Sequence, residues 1–183
     1  MNALIYYFQE KQEKCYLRHI HRLDQDTSGA VLFAKTPLAG AMLDRMMEAR
    51  EIKWVYTALV HGKMKKPKAT ISAKIGRDRH HPTRRRVLAT GKDAITHYEV
   101  TAYIPKMKLT KVDCWLDTGR THQIRVHLAY IGHPLAGDTL YGGQPIFPRQ
   151  ALHAKELKFI HPITEEKIHV FAPYLDNPPI FPD

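Results

Sequence analysis

Apolar and polar positions change places in short runs along this chain, and only two stretches carry helical spacing. Ala30-Val31-Leu32-Phe33-Ala34 follows a glycine and predicts a short buried strand. Thr36-Pro37 reads as a helix cap followed by proline at the first helical position. Leu38, Met42, Met46 and Ala49 then recur every three or four residues, so 37–50 predicts an amphipathic helix. Trp54 to Val60 is aromatic and β-branched, a strand that Gly62 ends. Ile95 to Tyr103 and Lys111 to Asp117 predict two more strands. In the second, Val112, Cys114 and Leu116 alternate with Asp113 and Asp117, while Trp115 interrupts the polar face. Thr118-Gly119 makes a turn, and Thr121 can cap a helix running to Ile131, with Ile124, Leu128 and Ile131 on one side and Gly132 just past the end. Residues 152–160 and 167–172 can pair around the turn His161-Pro162-Ile163-Thr164. The pattern is α+β with an antiparallel or mixed sheet, without internal repeat, heptads or low-complexity tract.

Composition narrows the class. At 183 residues the chain is long enough for one domain with a real core, and 44% hydrophobic and 25% charged residues are ordinary for a globular protein. No apolar run reaches the roughly 18 residues a membrane span needs. Met1 to Glu10 lacks the basic start and small-residue cleavage site of a secretory signal, so Cys15 and Cys114 are expected to be reduced thiols in a cytoplasmic protein. The net charge of +10 is unevenly placed. Between Lys63 and Lys92 there are eleven Lys or Arg and one acid, Asp78, a local excess equal to that of the entire chain. Interrupted by Pro67 and Pro82, this stretch predicts a basic hairpin or extended loop with an exposed tip. Phosphate backbones attract such a segment through counterion release. Charge alone leaves open an anionic membrane or a pure solubility role, although no basic amphipathic helix favours the membrane.

Two segments carry candidate chemistry: His21-Arg22-Leu23-Asp24-Gln25-Asp26-Thr27-Ser28-Gly29, and Gly119-Arg120-Thr121-His122-Gln123-Ile124-Arg125-Val126-His127-Leu128. Taken singly, Asp24 reads as a surface or capping aspartate, and Tyr56, in Trp54-Val55-Tyr56-Thr57, as strand packing. Together the two segments resemble the signature segments of the RNA pseudouridine synthases of the large ribosomal-subunit type. The similarity runs from about Arg18 to Ala172 and takes in Gly91 to Thr96, Gly132 to Gly142 and Leu152-His153-Ala154. It implies isomerisation of uridine within structured RNA, ribosomal RNA foremost and transfer RNA second, by a monomer needing no cofactor and no metal. It also implies a mixed, largely antiparallel central sheet with flanking helices.

Residue by residue, the resemblance makes Asp24 the carboxylate at the ribose–base junction, acting as nucleophile or base. Arg125 matches its basic partner, and a guanidinium can hold a carboxylate through two parallel hydrogen bonds. Tyr56 matches a tyrosine that faces the uracil. Arg22 lies on the same face as Asp24 in an extended segment, either filling the gap left by a flipped base or contacting phosphate. Arg120, His122 and Gln123 are expected at the sugar-phosphate backbone, and Arg84, Arg85 and Arg86 at RNA phosphates. Thr27, Ser28 and Gly29 shape the loop that aims Asp24. The His133-Pro134 to Asp138 and Leu152-His153-Ala154 elements read as scaffold.

The twelve histidines match no common zinc spacing. Only twenty residues precede His21, and no Lys-Pro-x-Gly loop of the kind found in this family occurs among them. Residues 1–17 therefore read as the remnant of a longer N-terminal region on a single catalytic domain, 1–183. The alternative reading is a non-catalytic RNA-binding or RNA-folding protein that keeps the scaffold.

Overall fold

The computed structural model describes residues 2–13 and 16–181; Cys15, one of the two expected thiols, lies outside the described residues. A nine-residue helix, α1 (Asn2–Glu10), leads into three two-residue strands, β1 (Arg18–His19), β2 (Ser28–Gly29) and β3 (Phe33–Ala34). The apolar run after Gly29 thus forms a strand only at its end. Helix α2 (Pro37–Glu48) begins where the Thr36-Pro37 signal puts it: Thr36 Oγ1 accepts the Ala39 amide at 3.1 Å.

The buried face of α2 differs from the expected one. Leu43 and Gly40 are buried and Met46 and Met47 half-buried, whereas Leu38 is 64% exposed. The partner surface decides this, since Ala34, Ile52 and Leu157 meet the helix along the Leu43 side. The close approach of the Arg18 side chain to Gly40 favours the same side.

The central sheet is built on β4 (Lys53–His61), whose Ala58, Leu59 and Val60 are wholly buried because both faces of the strand are covered. A continuous apolar run is what such a strand requires. Beyond it come β5 (Lys68–Ser72), the hairpin of β6 (Ile75–Arg77) and β7 (Arg85–Val87), β8 (Ile95–Ile104) and β9 (Leu109–Leu116). Helix α3 (Gln123–Tyr130) is followed by a single helical turn, Thr139–Tyr141, and then β10 (Leu152–Ile160) and β11 (Lys167–Phe171). The sheet order is β11-β10-β4-β9-β8-β5, antiparallel throughout, and β2 adds to β10 in parallel. The result is the mixed, largely antiparallel sheet of an α+β fold. The basic stretch 63–92 supplies an edge strand of this sheet, β5, as well as the separate β6–β7 hairpin.

Strand alternation sorts the core into two layers. Ala58, Val60, Val112, Cys114 and Leu152 face α3, meeting Ile124 and Leu128, while Leu59 and Leu109 face Ile180 and Phe181 near the C-terminus. Burying a leucine such as Leu128 contributes about 1.5–3 kcal/mol.

Helix α3 is anchored by polar groups too. Its first residue is Gln123 rather than one next to a Thr121 cap, because His122 takes a left-handed conformation (φ 59°) and turns the chain. The buried Gln123 amide ties the start of the helix to the preceding turn and to β8: its oxygen accepts from Arg120 N and Thr118 Oγ1, and its nitrogen donates to Ile95 O and Thr96 Oγ1. All four of its hydrogen-bonding positions are used. His127, also buried, joins Thr96 and the Ala73 carbonyl at 2.9 Å each. These contacts fix the rotation of α3, and with it the direction of Arg125.

Candidate active site

The segment from His21 to Gly29 is held from below. Gly29 (φ 118°) lies so close on β10 that a Cβ there would overlap the Ala154 carbonyl, so only glycine fits. Arg149 braces the loop from the side. It gives two hydrogen bonds of 2.8 Å to Asp176, one of 2.7 Å to Ser28 Oγ, and others to the carbonyls of Asp26, Gln150 and Leu152. Gln150 donates to the Gln25 carbonyl and to Thr27 Oγ1. Ser28 Oγ meets His153 Nδ1 at 2.7 Å, and His153 Nε2 meets the Ala172 carbonyl at 3.1 Å. Burial, first of all, lowers the His153 pKa. A neutral ring donates to the carbonyl through Nε2 and accepts the Ser28 hydroxyl at Nδ1. The Asp24 loop is thereby fastened at several independent points.

Across from it, α3 delivers Arg125, 6% exposed. Its Nε and Nη2 donate to Asp138 Oδ2 and Oδ1 at 2.7 and 2.9 Å. The remaining Nη1 stands 3.6 Å from Asp24 Oδ2. This corrects the expectation of paired hydrogen bonds to Asp24: the guanidinium fork belongs to Asp138, and Asp24 receives only the nearby charge. Tyr141, three residues after Asp138 in the same turn, lays its ring over the guanidinium at 5.0 Å. Burial works against the charge on Arg125, but Asp138 and then Asp24 outweigh it, so its pKa is raised. Asp24, with a side chain 23% exposed, is left partly open to solvent beside a fixed cation.

Tyr56 projects from β4 on the α3 face of the sheet, and burial, then the Asp24 charge, raise its phenol pKa. The ring is a protonated, half-buried neighbour of the carboxylate. His122 joins the same group: its Nδ1 is 2.8 Å from the Tyr141 hydroxyl, and burial lowers its pKa while Asp24 and Arg125 act in opposite directions.

The other expected contacts divide. Arg22 is exposed. Arg120 gives its Nε to the Asp93 carbonyl at 3.0 Å. Gln123 is buried and spent on the protein, which leaves it no phosphate to meet. Arg84 is paired with Asp78 at 2.6 Å, so it closes the hairpin. Arg85 donates its amide to the Tyr141 hydroxyl at 2.9 Å, and its guanidinium Nη1 is buried without a hydrogen-bond partner among the described residues. Arg86 is exposed. Between hairpin and helix lies a cavity of about 610 Å³ lined by Arg84, Arg85, Arg86, Val126, Tyr130 and Tyr141.

Asp138, Tyr141 and Arg149 are the functional neighbours that sequence reasoning assigned to scaffold or passed over. The available signal was the order Gly-Asp-Thr-Leu-Tyr-Gly over 137–142, an acid and an aromatic one helical turn apart between glycines.

A family model described as RNA pseudouridylate synthase matches residues 2–130. The chain belongs to this family. Among curated relatives, the uncharacterized RNA pseudouridine synthase YhcT of Bacillus subtilis is 53% identical over 94% of this chain and 58% of its own length. The ribosomal large subunit pseudouridine synthase D of Vibrio cholerae is 40% identical over 97% of this chain and again 58% of its own length. The chain thus spans 58% of either relative. The solved structure of human RNA pseudouridylate synthase domain containing 1 superposes with a TM-score of 0.79 at 30% identity, over 94% of this chain and 73% of that one. Among the described residues no helix is long and apolar enough to cross a membrane.

Proposed function

We propose that this chain, as one catalytic unit, isomerises uridine to pseudouridine in structured RNA, with ribosomal RNA as the substrate class. The observation that carries the reading is the partly exposed Asp24 carboxylate, 3.6 Å from an Arg125 whose Nε and Nη2 are locked on Asp138. A carboxylate clamped by two parallel hydrogen bonds is a poor nucleophile; one that feels only a neighbouring charge keeps its lone pairs for the sugar. Asp24 attacks ribose C1′, or takes a sugar proton, as the bond from C1′ to uracil N1 breaks. The freed base turns and its C5 bonds to C1′ as the Asp24–C1′ bond breaks, or as the sugar proton is returned; the C5 proton is then lost to water and N1 takes one up, so the change is a net isomerisation. Tyr56 stacks beside the ring during the turn, and the basic hairpin and Arg22 hold the RNA. Ribosomal RNA is favoured by the name of the Vibrio relative, and the local charge of 63–92 supports binding to an RNA backbone in general.

The test is tritium release from RNA labelled at uridine C5, with ribosomal and transfer RNA assayed separately. Release from ribosomal RNA that Asp24→Ala abolishes, with RNA affinity unchanged within a few fold, is the expected result. A folded, RNA-binding protein without Asp24-dependent release would overturn the reading.

A further inference from the structure

The basic hairpin and the Asp24–Arg125 pair are joined by one side chain. Tyr141 sits in the turn that also carries Asp138, so one short segment holds the edge of the Arg125 guanidinium and covers its face. The Tyr141 hydroxyl reaches in two further directions. It accepts the backbone amide of Arg85, on β7, at 2.9 Å, and it contacts His122 Nδ1, at the start of α3, at 2.8 Å. The phenol oxygen takes the Arg85 hydrogen, and for a neutral imidazole the phenol proton goes to Nδ1, leaving Nε2 protonated. Among the described residues strand β7 pairs only with β6, so this hairpin is outside the central sheet. Apolar packing of Ile75 and Val87 on Val126 seats it against α3, and the Tyr141 bond is the polar link between the β7 backbone and the Asp138–Tyr141 turn. Arg85 and Arg86 line the cavity between hairpin and helix, which is where an RNA phosphate would pull on that strand.

We propose that Tyr141 is a positioning residue that couples RNA docking on the β6–β7 hairpin to the orientation of Arg125 beside Asp24. The inference rests on the isomerase reading above. Phosphate binding at Arg85 and Arg86 sets the β7 backbone, the Arg85 amide sets the phenol, and the phenol ring sets the guanidinium face.

Tyr141→Phe keeps the ring on Arg125 and removes both hydrogen bonds. The expected result is a kcat about tenfold lower with KM within about twofold, because the lost interaction acts in the transition state more than in binding. Arg85 variants separate the amide from the guanidinium. Arg85→Ala keeps the N–H, whereas Arg85→Pro removes it at an edge position where the amide leaves the strand ladder. Tyr141→Phe should still lower kcat severalfold in the Arg85→Ala background, where Arg86 remains to take phosphate, and should add little in the Arg85→Pro background, where only the His122 bond is left to lose. Equal factors in both backgrounds, or a loss carried wholly by KM, would overturn the coupling.

A second readout is independent of turnover: the NMR resonance of Arg125 Nε–H during titration with a uridine-containing RNA hairpin. Saturation should shift it in the wild type and leave it largely unmoved in Tyr141→Phe. Equal shifts in the two proteins would refute the coupling even if Arg85→Pro failed to fold. Absence of Asp24-dependent release in the wild type would refute the isomerase reading separately.

Discussion

Arg125 gives both of its parallel hydrogen bonds to Asp138, and Asp24 stands 3.6 Å from the one guanidinium nitrogen left over. The two carboxylates therefore stand differently around one cation. Asp138, almost fully buried, holds its edge; Asp24, partly exposed, lies beside it without a paired hydrogen bond.

Removing Asp138 should damage stability and turnover together. Asp138→Ala leaves a buried guanidinium with no partner along its edge, a change that costs about 3–5 kcal/mol in buried pairs. Asp138→Asn keeps shape and one acceptor, so it should melt closer to the wild type yet lose at least about tenfold in kcat as Arg125 turns toward Asp24. Thermal melts and tritium release on the two variants check this. An Asp138→Asn enzyme with wild-type turnover would mean that Arg125 needs no aiming.

Arg149 should behave as the brace of the Asp24 loop. Its planar fork joins Asp176, Ser28 and the carbonyls of Asp26, Gln150 and Leu152, a set that a lysine ammonium cannot span. Arg149→Lys is expected to fold, to bind RNA normally, and to lose about tenfold or more in kcat through a loosened carboxylate. Gly29→Ala, which forces a Cβ into β10, should instead lose cooperative melting. Circular dichroism melts distinguish the two, and a Gly29→Ala protein as stable as the wild type would contradict the close approach.

Acid should destabilise the fold through its buried histidines. Burial pushes the His21 pKa down to about 4, and burial likewise lowers those of His122, His127 and His153. Each such ring binds its proton more readily unfolded than folded, so stability rises with pH across this window. The contribution is complete above about 6.5, the ordinary histidine value, and drains away as pH falls toward about 4. His21 by itself accounts for about 3 kcal/mol at most. Urea melts from pH 4.5 to 7.5 should show the slope, and His21→Phe, which keeps an aromatic ring beside Trp54, should flatten part of it. A slope unchanged in that variant would assign the effect to the other histidines.

Within the hairpin, neighbouring arginines should respond differently to removal. Arg86 is exposed, so Arg86→Ala should lower the dependence of RNA affinity on salt by about one phosphate contact. Arg84 is committed to Asp78 at 2.6 Å, so Arg84→Ala should leave the salt slope nearly intact and loosen the hairpin. Binding isotherms at several salt concentrations decide it; equal slope changes would put both side chains on RNA.

Local rules reached far along this chain. Thr36-Pro37 starts α2 because a side-chain cap and a preset φ act within a few residues, and the run Trp54 to Val60 becomes the central strand because its residues suit burial on both faces. The Ile124, Leu128 and Ile131 face of α3 and the β10–β11 pair around His161 were legible for the same reason, as was the matching of Asp24 and Arg125 through two short motifs. What depended on distant partners was not. Leu38 is solvent-exposed because the surface that covers α2 meets the Leu43 side, and Gln123 is buried because the turn after β9 brings four polar partners to its amide. A guanidinium accepts any carboxylate within reach, so sequence alone could name Arg125 as a cation but not choose between Asp24 and Asp138. That choice belongs to the tertiary structure, which packs the Asp138–Tyr141 turn against α3 and holds the Asp24 loop one step further away.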